Sequence, residues 1–214
     1  MRLVMSRLYV ILDPELVRGP IQGTAEQLMA VGVRLLQYRA KNQAAGEMLK
    51  TAKELAAIAS RKGATFFVND RPDVAYLAGA GGVHVGQDDL GVEEARMVVG
   101  SDRWVGVSTH NREQFERAGA SSADYIAIGP IFATTSKAKP DPVVGTELIR
   151  ELRPLTQKPI VAIGGIRLEH AAEMIEAGAD SVAVISDILG APDPAEQARQ
   201  FLQRLEAAKS AAKP

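Results

Sequence analysis

The chain reads as a single-domain α/β protein, a (β/α)8 TIM barrel spanning residues 1–214, and three features carry that reading. Short apolar runs alternate with longer amphipathic ones eight times, which implies parallel strands joined by right-handed helical crossovers. A glycine recurs where a helix would end and a strand begin, in Val31-Gly32-Val33, Ala78-Gly79-Ala80, Ala118-Gly119-Ala120 and Ala177-Gly178-Ala179. Glycine takes the left-handed conformation that closes a helix at least cost. No composition break or linker divides the chain, whose length sits at the short end of this fold. An open doubly wound sheet is the alternative, and the lack of G-x-G-x-x-G in the first βα turn weakens its dinucleotide-binding version.

Taken in order, Leu8 to Leu12 is a continuous apolar run, as expected of a strand buried on both faces, and Thr24 to Val31 is the first helix. Strand Leu35 to Gln37 precedes the long amphipathic stretch Ala45 to Lys62, and strand Thr65 to Val68 precedes helix Pro72 to Ala78. There Arg71-Pro72 opens a helix in a sequence context that suits Asp70 as its N-cap. Val83 to Val85 and Val105 to Val107 are the next strands, followed by helices Val92 to Val99 and Glu113 to Ala118. Tyr125 to Ile128 is stopped by Gly129-Pro130, and its helix is Thr146 to Leu152. Ile160 to Ile163 pairs with helix Leu168 to Ala177, and Ser181 to Ile185 with Pro194 to Ala208.

A hydrophobic content of 46% is ordinary for a globular protein, and a formal net charge of −1 offers no general attraction to nucleic acid or an anionic membrane. The absence of cysteine excludes disulfides, thiolate metal sites and a cysteine nucleophile. No apolar run approaches the roughly 18 to 20 residues of a membrane helix, and Met1 to Leu12 lacks a signal-peptide pattern. A cytoplasmic protein acting on small molecules is expected; a homo-oligomer is compatible with the sequence but not specified by it.

In a barrel of this kind the chemistry sits where the C-terminal strand ends meet the βα loops. Those positions are polar here. The second strand gives Gln37-Tyr38-Arg39-Ala40-Lys41, in which strand alternation puts Gln37, Arg39 and Lys41 on one side. The third gives Asn69-Asp70, the fourth His84 through Gln87-Asp88-Asp89, and the fifth Ser108-Thr109-His110. The loop after the sixth strand carries Thr134-Thr135-Ser136-Lys137, three hydroxyls and a cation suited to phosphate oxygens. Gly164-Gly165 ends the seventh strand, where bare backbone N–H groups before a helix suit a phosphate, and Ile185-Ser186 would form the other half of that site. Asp70 and Asp89, on neighbouring strand ends, suit one hard cation, Mg²⁺ bridging a diphosphate rather than Ca²⁺. His84 reads as a hydrogen-bonded core histidine and His170 as a surface one, while Ser108 and His110 lack an acid that would complete a hydrolase triad.

This constellation resembles the thiamine phosphate synthase (thiamine-phosphate pyrophosphorylase) family. The resemblance runs through Gln37-x-Arg39-x-Lys41, Asn69-Asp70-Arg71, Gly82 to Asp89, Gly106-Val107-Ser108, Gly129 to Phe132, Thr134-x-Ser136-Lys137, Ala162 to Ile166 and Val184-Ile185-Ser186. It implies that Gln37, Tyr38, Arg39, Ala40, Lys41, Asn69, Ser108 and Lys137 bind an aminopyrimidine methyl diphosphate. It also implies that Arg39, Lys41, Ser108 and Lys137 act in catalysis and that Asp70 and Asp89 hold Mg²⁺. Thr134, Thr135, Ser136, Gly165, Ile185 and Ser186 would hold a thiazole phosphate. Ala40 stands where the family commonly has Glu, and Ala133 and Ser136 where it has Pro and Thr. The rival readings are a thiazole tautomerase, which needs one phosphate site and a proton-transferring histidine such as His110, and a non-catalytic sensor of a thiamine precursor.

Overall fold

The computed structural model describes residues 5–134 and 141–211. Among the described residues, eight parallel strands close into a barrel in chain order. They are β1 (Leu8–Leu12), β2 (Leu35–Tyr38), β3 (Thr65–Asn69), β4 (Gly82–Val85), β5 (Trp104–Thr109), β6 (Tyr125–Ile128), β7 (Ile160–Ile163) and β8 (Ser181–Val184). β8 closes on β1, with Leu8 beside Val182 and Val10 beside Val184.

The apolar runs are unbroken because each strand feeds two cores. In β1, Leu8, Val10 and Leu12 face the helices, while Tyr9 and Ile11 join Leu35, Phe67, Tyr125, Ala127, Val161 and Ala183 around the barrel axis. Three of these axial residues are aromatic and meet one another, with centroids 5.7 Å apart for Tyr9–Phe67, 6.1 Å for Tyr9–Tyr125 and 5.6 Å for Phe67–Tyr125. Two glycines make room for them. A Cβ on Gly82 would lie 2.5 Å from the Phe67 ring, and one on Gly106 would lie 2.0 Å from Tyr125 Cζ. Large rings on some strands therefore require small residues on others, as filling a narrow barrel demands.

The outer layer is α1 (Ile21–Ala30), α2 (Ala45–Arg61), α3 (Pro72–Ala78), α4 (Val92–Val99), α5 (Arg112–Ala120), α6 (Glu147–Leu152), α7 (Ala171–Glu176), α8 (Ser186–Leu189) and α9 (Pro194–Ala211). Gly32, Gly79 and Gly178 follow their helices with φ of 110°, 69° and 108°, as the repeat implies. Gly119 departs from the pattern. It lies within α5, and the chain leaves the helix at Ser121, whose hydroxyl donates to the Ala118 carbonyl. Near the last two strands a 3-10 turn at Leu168–His170 precedes α7, and β8 ends at Val184 so that the four-residue α8 starts directly at Ser186. Here the structure differs from the expected boundaries Leu168 to Ala177 and Ser181 to Ile185; elsewhere α1 begins at Ile21 rather than Thr24, and β5 runs over Trp104–Thr109 rather than Val105 to Val107.

Candidate active site

The C-terminal mouth of the barrel begins with two cations already paired. β1 and β2 run in register with Leu12 beside Tyr38, so the next residues, Asp13 and Arg39, come together. Arg39 Nη1 donates to Asp13 Oδ2 at 2.6 Å, and its backbone N–H continues the ladder to the Leu12 carbonyl at 2.9 Å. The partly buried Arg39 side chain is thus held in one direction. Lys41 pairs with Asp70. Asp70 itself takes a left-handed φ of 61°, its N–H donating to the His84 carbonyl at 2.8 Å, a conformation that costs energy for a residue with a Cβ.

The Asp70 carboxyl is not a helix cap. Arg71 occupies the N-cap position of α3, which has no side-chain cap. The Asp70 carboxyl instead reaches Asp89, and it is pushed up to about 6, first by burial and then by Asp89, with Lys41 acting in the opposite sense. Asp89 is fixed in turn by accepting from the Gly86 N–H at 2.8 Å. Two facing carboxylates with one proton's worth of mutual repulsion are a fit for a divalent cation. Among the described residues no three His, Cys, Asp or Glu converge as a metal cage. Asp70 and Asp89 are thus the two side chains that could hold such a cation, with waters and ligand oxygens completing its shell.

Inside the mouth, Ser108 pairs with His84 rather than with His110. His84 Nε2 lies 2.8 Å from Ser108 Oγ, and His84 Nδ1 lies 2.9 Å from the Tyr125 hydroxyl. The third group of this array is a buried phenol and not a carboxylate, so it lacks the acid of a hydrolase triad. His84 is buried and bonded at both nitrogens, as read from the sequence. Gln37 is buried at the opposite end, its Nε2 donating to the Tyr9 hydroxyl at 2.8 Å. His110 turns elsewhere: Nδ1 meets the Gly129 carbonyl and Nε2 lies 3.3 Å from Asp141 Oδ2. It thereby links the end of β5 to both sides of the segment that contains Thr134.

The glycine pair has a structural reason of its own. Gly164 and Gly165 have φ of 98° and 64°. The segment after β6 runs against them, Ile131 N–H donating to the Ile163 carbonyl at 2.9 Å and Phe132 N–H to the Gly164 carbonyl at 3.0 Å. A Cβ on Gly165 would lie 2.4 Å from the Ala133 carbonyl oxygen. Glycine is needed there first for close approach of the chain's own backbone. The helix N-terminus that directly follows a strand end is that of α8 rather than α7. Thr134, Gly164, Gly165, Ile166, Val184, Ile185 and Ser186 enclose a small pocket beside it. Phe132 stacks on His170 at 4.1 Å, so His170 is partly covered and is not simply a surface residue.

This pocket adjoins a cavity of about 110 Å³ lined by Gln37, Arg39, Asn69, His84, Ser108 and Asp141, the two sharing Thr134, Ile163, Gly164 and Ile185. The cavity shares Arg39, Asn69, His84 and Ser108 with the wider mouth that holds Lys41, Asp70 and Asp89. The structure thus brings together Gln37, Arg39, Lys41, Asn69, Asp70, Asp89, Ser108, Thr134, Gly165, Ile185 and Ser186. It does not bring the Tyr38 side chain, which packs in the helix-facing core with its hydroxyl on Gln43. Ala40 lines a side pocket with Lys41, Asn69 and Asp70. Thr135, Ser136 and Lys137 lie outside the described residues.

Residues 8–188 match the family model described as "Thiamine monophosphate synthase". The chain belongs to the thiamine monophosphate synthase family. A thiamine-phosphate synthase of Koribacter versatilis is 51% identical over 95% of this chain and 97% of its own length. One from Chloroflexus aurantiacus is 42% identical over 91% of this chain and 90% of its own length. Among solved structures, the thiamine phosphate pyrophosphorylase of Pyrococcus furiosus superposes with a TM-score of 0.86 at 32% identity, covering 94% of this chain and 96% of that one. Membership in the synthase family agrees with a (β/α)8 barrel. No helix among the described residues is long and apolar enough to cross a membrane.

Asp13 is absent from the strand-end residues expected from the sequence, although it directly follows the first apolar run. Tyr9 and Tyr125 give no signal, because an interior tyrosine on an apolar strand looks like any other core residue in sequence. Their hydroxyls meet at 3.1 Å inside the barrel of this synthase-family member.

Proposed function

We propose that this chain is a thiamine-phosphate synthase that joins an aminopyrimidine methyl diphosphate to a thiazole phosphate, releasing diphosphate. The observation that carries the reading is the row of three adjoining cavities, each sharing lining residues with the next: the Arg39, Lys41, Asp70 and Asp89 mouth, the Gln37–Ser108 cavity and the Gly165–Ser186 pocket. The mouth sets Arg39 and Lys41 among carboxylates, as a diphosphate shared with a divalent cation would need, the cavity offers the polar side chains of Gln37, Asn69 and Ser108 to an uncharged ring, and the pocket beside α8 offers Thr134, Gly165 and Ser186 to a second phosphate.

In the reaction, the C–O bond between the pyrimidine methylene and the diphosphate breaks with its electron pair leaving on oxygen. The electron-rich aminopyrimidine spreads the resulting positive charge, and the thiazole nitrogen lone pair forms the new C–N bond. No strong base is required. The chain's task is to neutralise charge growing on the leaving group and to hold the nucleophile in line. Arg39, fixed by Asp13, is preorganised for a phosphate oxygen, and Lys41 and Lys137 supply point charges on flexible stems. Gln37, Asn69 and Ser108 orient the pyrimidine, while Thr134, Thr135, Ser136, Gly165, Ile185 and Ser186 hold the thiazole phosphate. Mg²⁺ held by Asp70 and Asp89 would supply further neutralisation of the diphosphate.

Diphosphate release should require both precursors and Mg²⁺ together. Stabilisation by each precursor without release would indicate a sensor, and conversion of the thiazole phosphate alone would indicate a tautomerase.

A further inference from the structure

Five polar side chains form one hydrogen-bonded line across the barrel interior: Gln37, Tyr9, Tyr125, His84 and Ser108. Its successive spacings are 2.8, 3.1, 2.9 and 2.8 Å. Gln37 and Ser108 are its two ends, and both line the cavity. Tyr9, Tyr125 and His84 are buried. Burial raises both phenols far above their ordinary range, so each keeps its proton and has one to donate.

The direction of the line follows from its first bond. Gln37 Nε2 is an amide nitrogen and can only donate, so Tyr9 oxygen accepts. The Tyr9 proton must then point to Tyr125. Tyr125, accepting from Tyr9, gives its own proton to His84 Nδ1. A neutral imidazole that accepts at Nδ1 carries its proton on Nε2, and that N–H donates to Ser108 Oγ. The Ser108 proton is left to point into the cavity, and the Gln37 carbonyl oxygen is left as an acceptor at the other end.

We infer that Tyr9, Tyr125 and His84 are positioning residues that set the polarity of the site, holding Ser108 as a hydrogen-bond donor and Gln37 as an acceptor. Had the line run the other way, His84 Nε2 would accept from Ser108 and prepare it as a nucleophile. The inferred direction instead turns Ser108 into a fixed donor toward an anionic oxygen, while the Gln37 carbonyl oxygen suits an exocyclic amine. The roles at the two ends rest on the reading given under Proposed function; the polarity of the line does not.

The test is nitrogen-15 NMR of the imidazoles in the ligand-free protein near neutral pH, with His84→Gln used to assign the His84 signals among the three histidines. The expected result is His84 in the Nε2–H tautomer, with Tyr125→Phe giving a mixture of tautomers because the ring stays and only the donor is lost. The same variant should lower kcat for diphosphate release about tenfold, the order of one directed hydrogen bond, with little change in the KM for thiazole phosphate. An Nδ1–H tautomer or an imidazolium in the unmodified protein overturns the inference, as does a Tyr125→Phe variant with unchanged tautomer and kcat. Since the tautomer is read without substrate, a protein that shows the Nε2–H form yet releases no diphosphate would refute the synthase reading alone.

Discussion

Asp70 and Asp89 share a partly buried contact in which both carboxylates cannot comfortably be charged, and Asp70 responds by holding its proton up to about pH 6. Its folded value is raised above that of the unfolded chain, so between about pH 4 and 6 the folded state binds the extra proton. For the metal-free protein this makes ionised Asp70 a cost, present above about pH 6 and relieved as pH falls through that value. A divalent cation competes for the same site. The stabilisation that Mg²⁺ gives in thermal unfolding should therefore be large at about pH 7.5 and small at about pH 5, with proton release on Mg²⁺ binding below about pH 6 visible by calorimetry in buffers of different ionisation enthalpy. Asp70→Asn should abolish the pH dependence and weaken Mg²⁺ binding. If Mg²⁺ stabilisation proved equal at the two pH values, Asp70 would not be a ligand.

Two glycines, one on a barrel strand and one on an outer helix, should respond oppositely to alanine. Gly106→Ala drives a methyl into the Tyr125 ring, whose walls are the barrel itself, so a loss of about 1–3 kcal/mol is expected. Gly119→Ala meets nothing within 4 Å and sits inside α5, so a gain of about 0.4–1 kcal/mol is expected. Urea unfolding of the two variants checks both signs, and destabilisation by Gly119→Ala would contradict its placement inside the helix.

Gly119 also marks where the sequence stops being informative. The tripeptide Ala-Gly-Ala occurs at 78–80, 118–120 and 177–179, yet only the first and last place glycine at positive φ. The local code is the same, and the difference lies in Ser121, which leaves α5 with its hydroxyl on the Ala118 carbonyl. The barrel was legible because eight strand–helix alternations admit few topologies. The polar strand ends were legible because that fold fixes where they go. Asp13 opposite Arg39 follows from barrel neighbours once β1 and β2 are paired. The Tyr9–Tyr125 contact does not follow, because alternation says that both point inward but not which residues meet across the axis. The four-residue α8 is too short to show a helical period.

Lys137 should act on charge that grows as diphosphate leaves, so its contribution is larger in the transition state than in the bound substrate. Lys137→Ala should lower kcat about a hundred- to a thousandfold, the order of about 2.7 to 4 kcal/mol for one preorganised donor. Lys137→Arg should recover only part, since a planar fork does not reproduce a point charge. Single-turnover diphosphate release at saturating pyrimidine substrate is the measurement. A wild-type rate with a higher KM would make Lys137 a binding residue.

Gly165 and Ser186 border the same small pocket, but they should fail in different ways. Ser186 opens α8 as an exposed residue, and Ser186→Ala removes one hydroxyl and leaves the backbone N–H groups of that turn in place. It should raise the KM for thiazole phosphate several-fold, with unchanged stability and an unchanged KM for the pyrimidine diphosphate. Gly165 is at φ 64°, and its Cβ direction is filled by the Ala133 carbonyl and by Phe132. Gly165→Ala must displace that segment, which is tied to Ile163 and Gly164 by backbone hydrogen bonds and carries Thr134. Loss of stability should accompany loss of affinity, and both substrates should suffer because Thr134 and Gly164 border both cavities. Unfolding curves and separate KM values distinguish the cases. A Gly165→Ala variant of normal stability, impaired only toward thiazole phosphate, would mean that the glycine serves the ligand rather than the backbone packed against it.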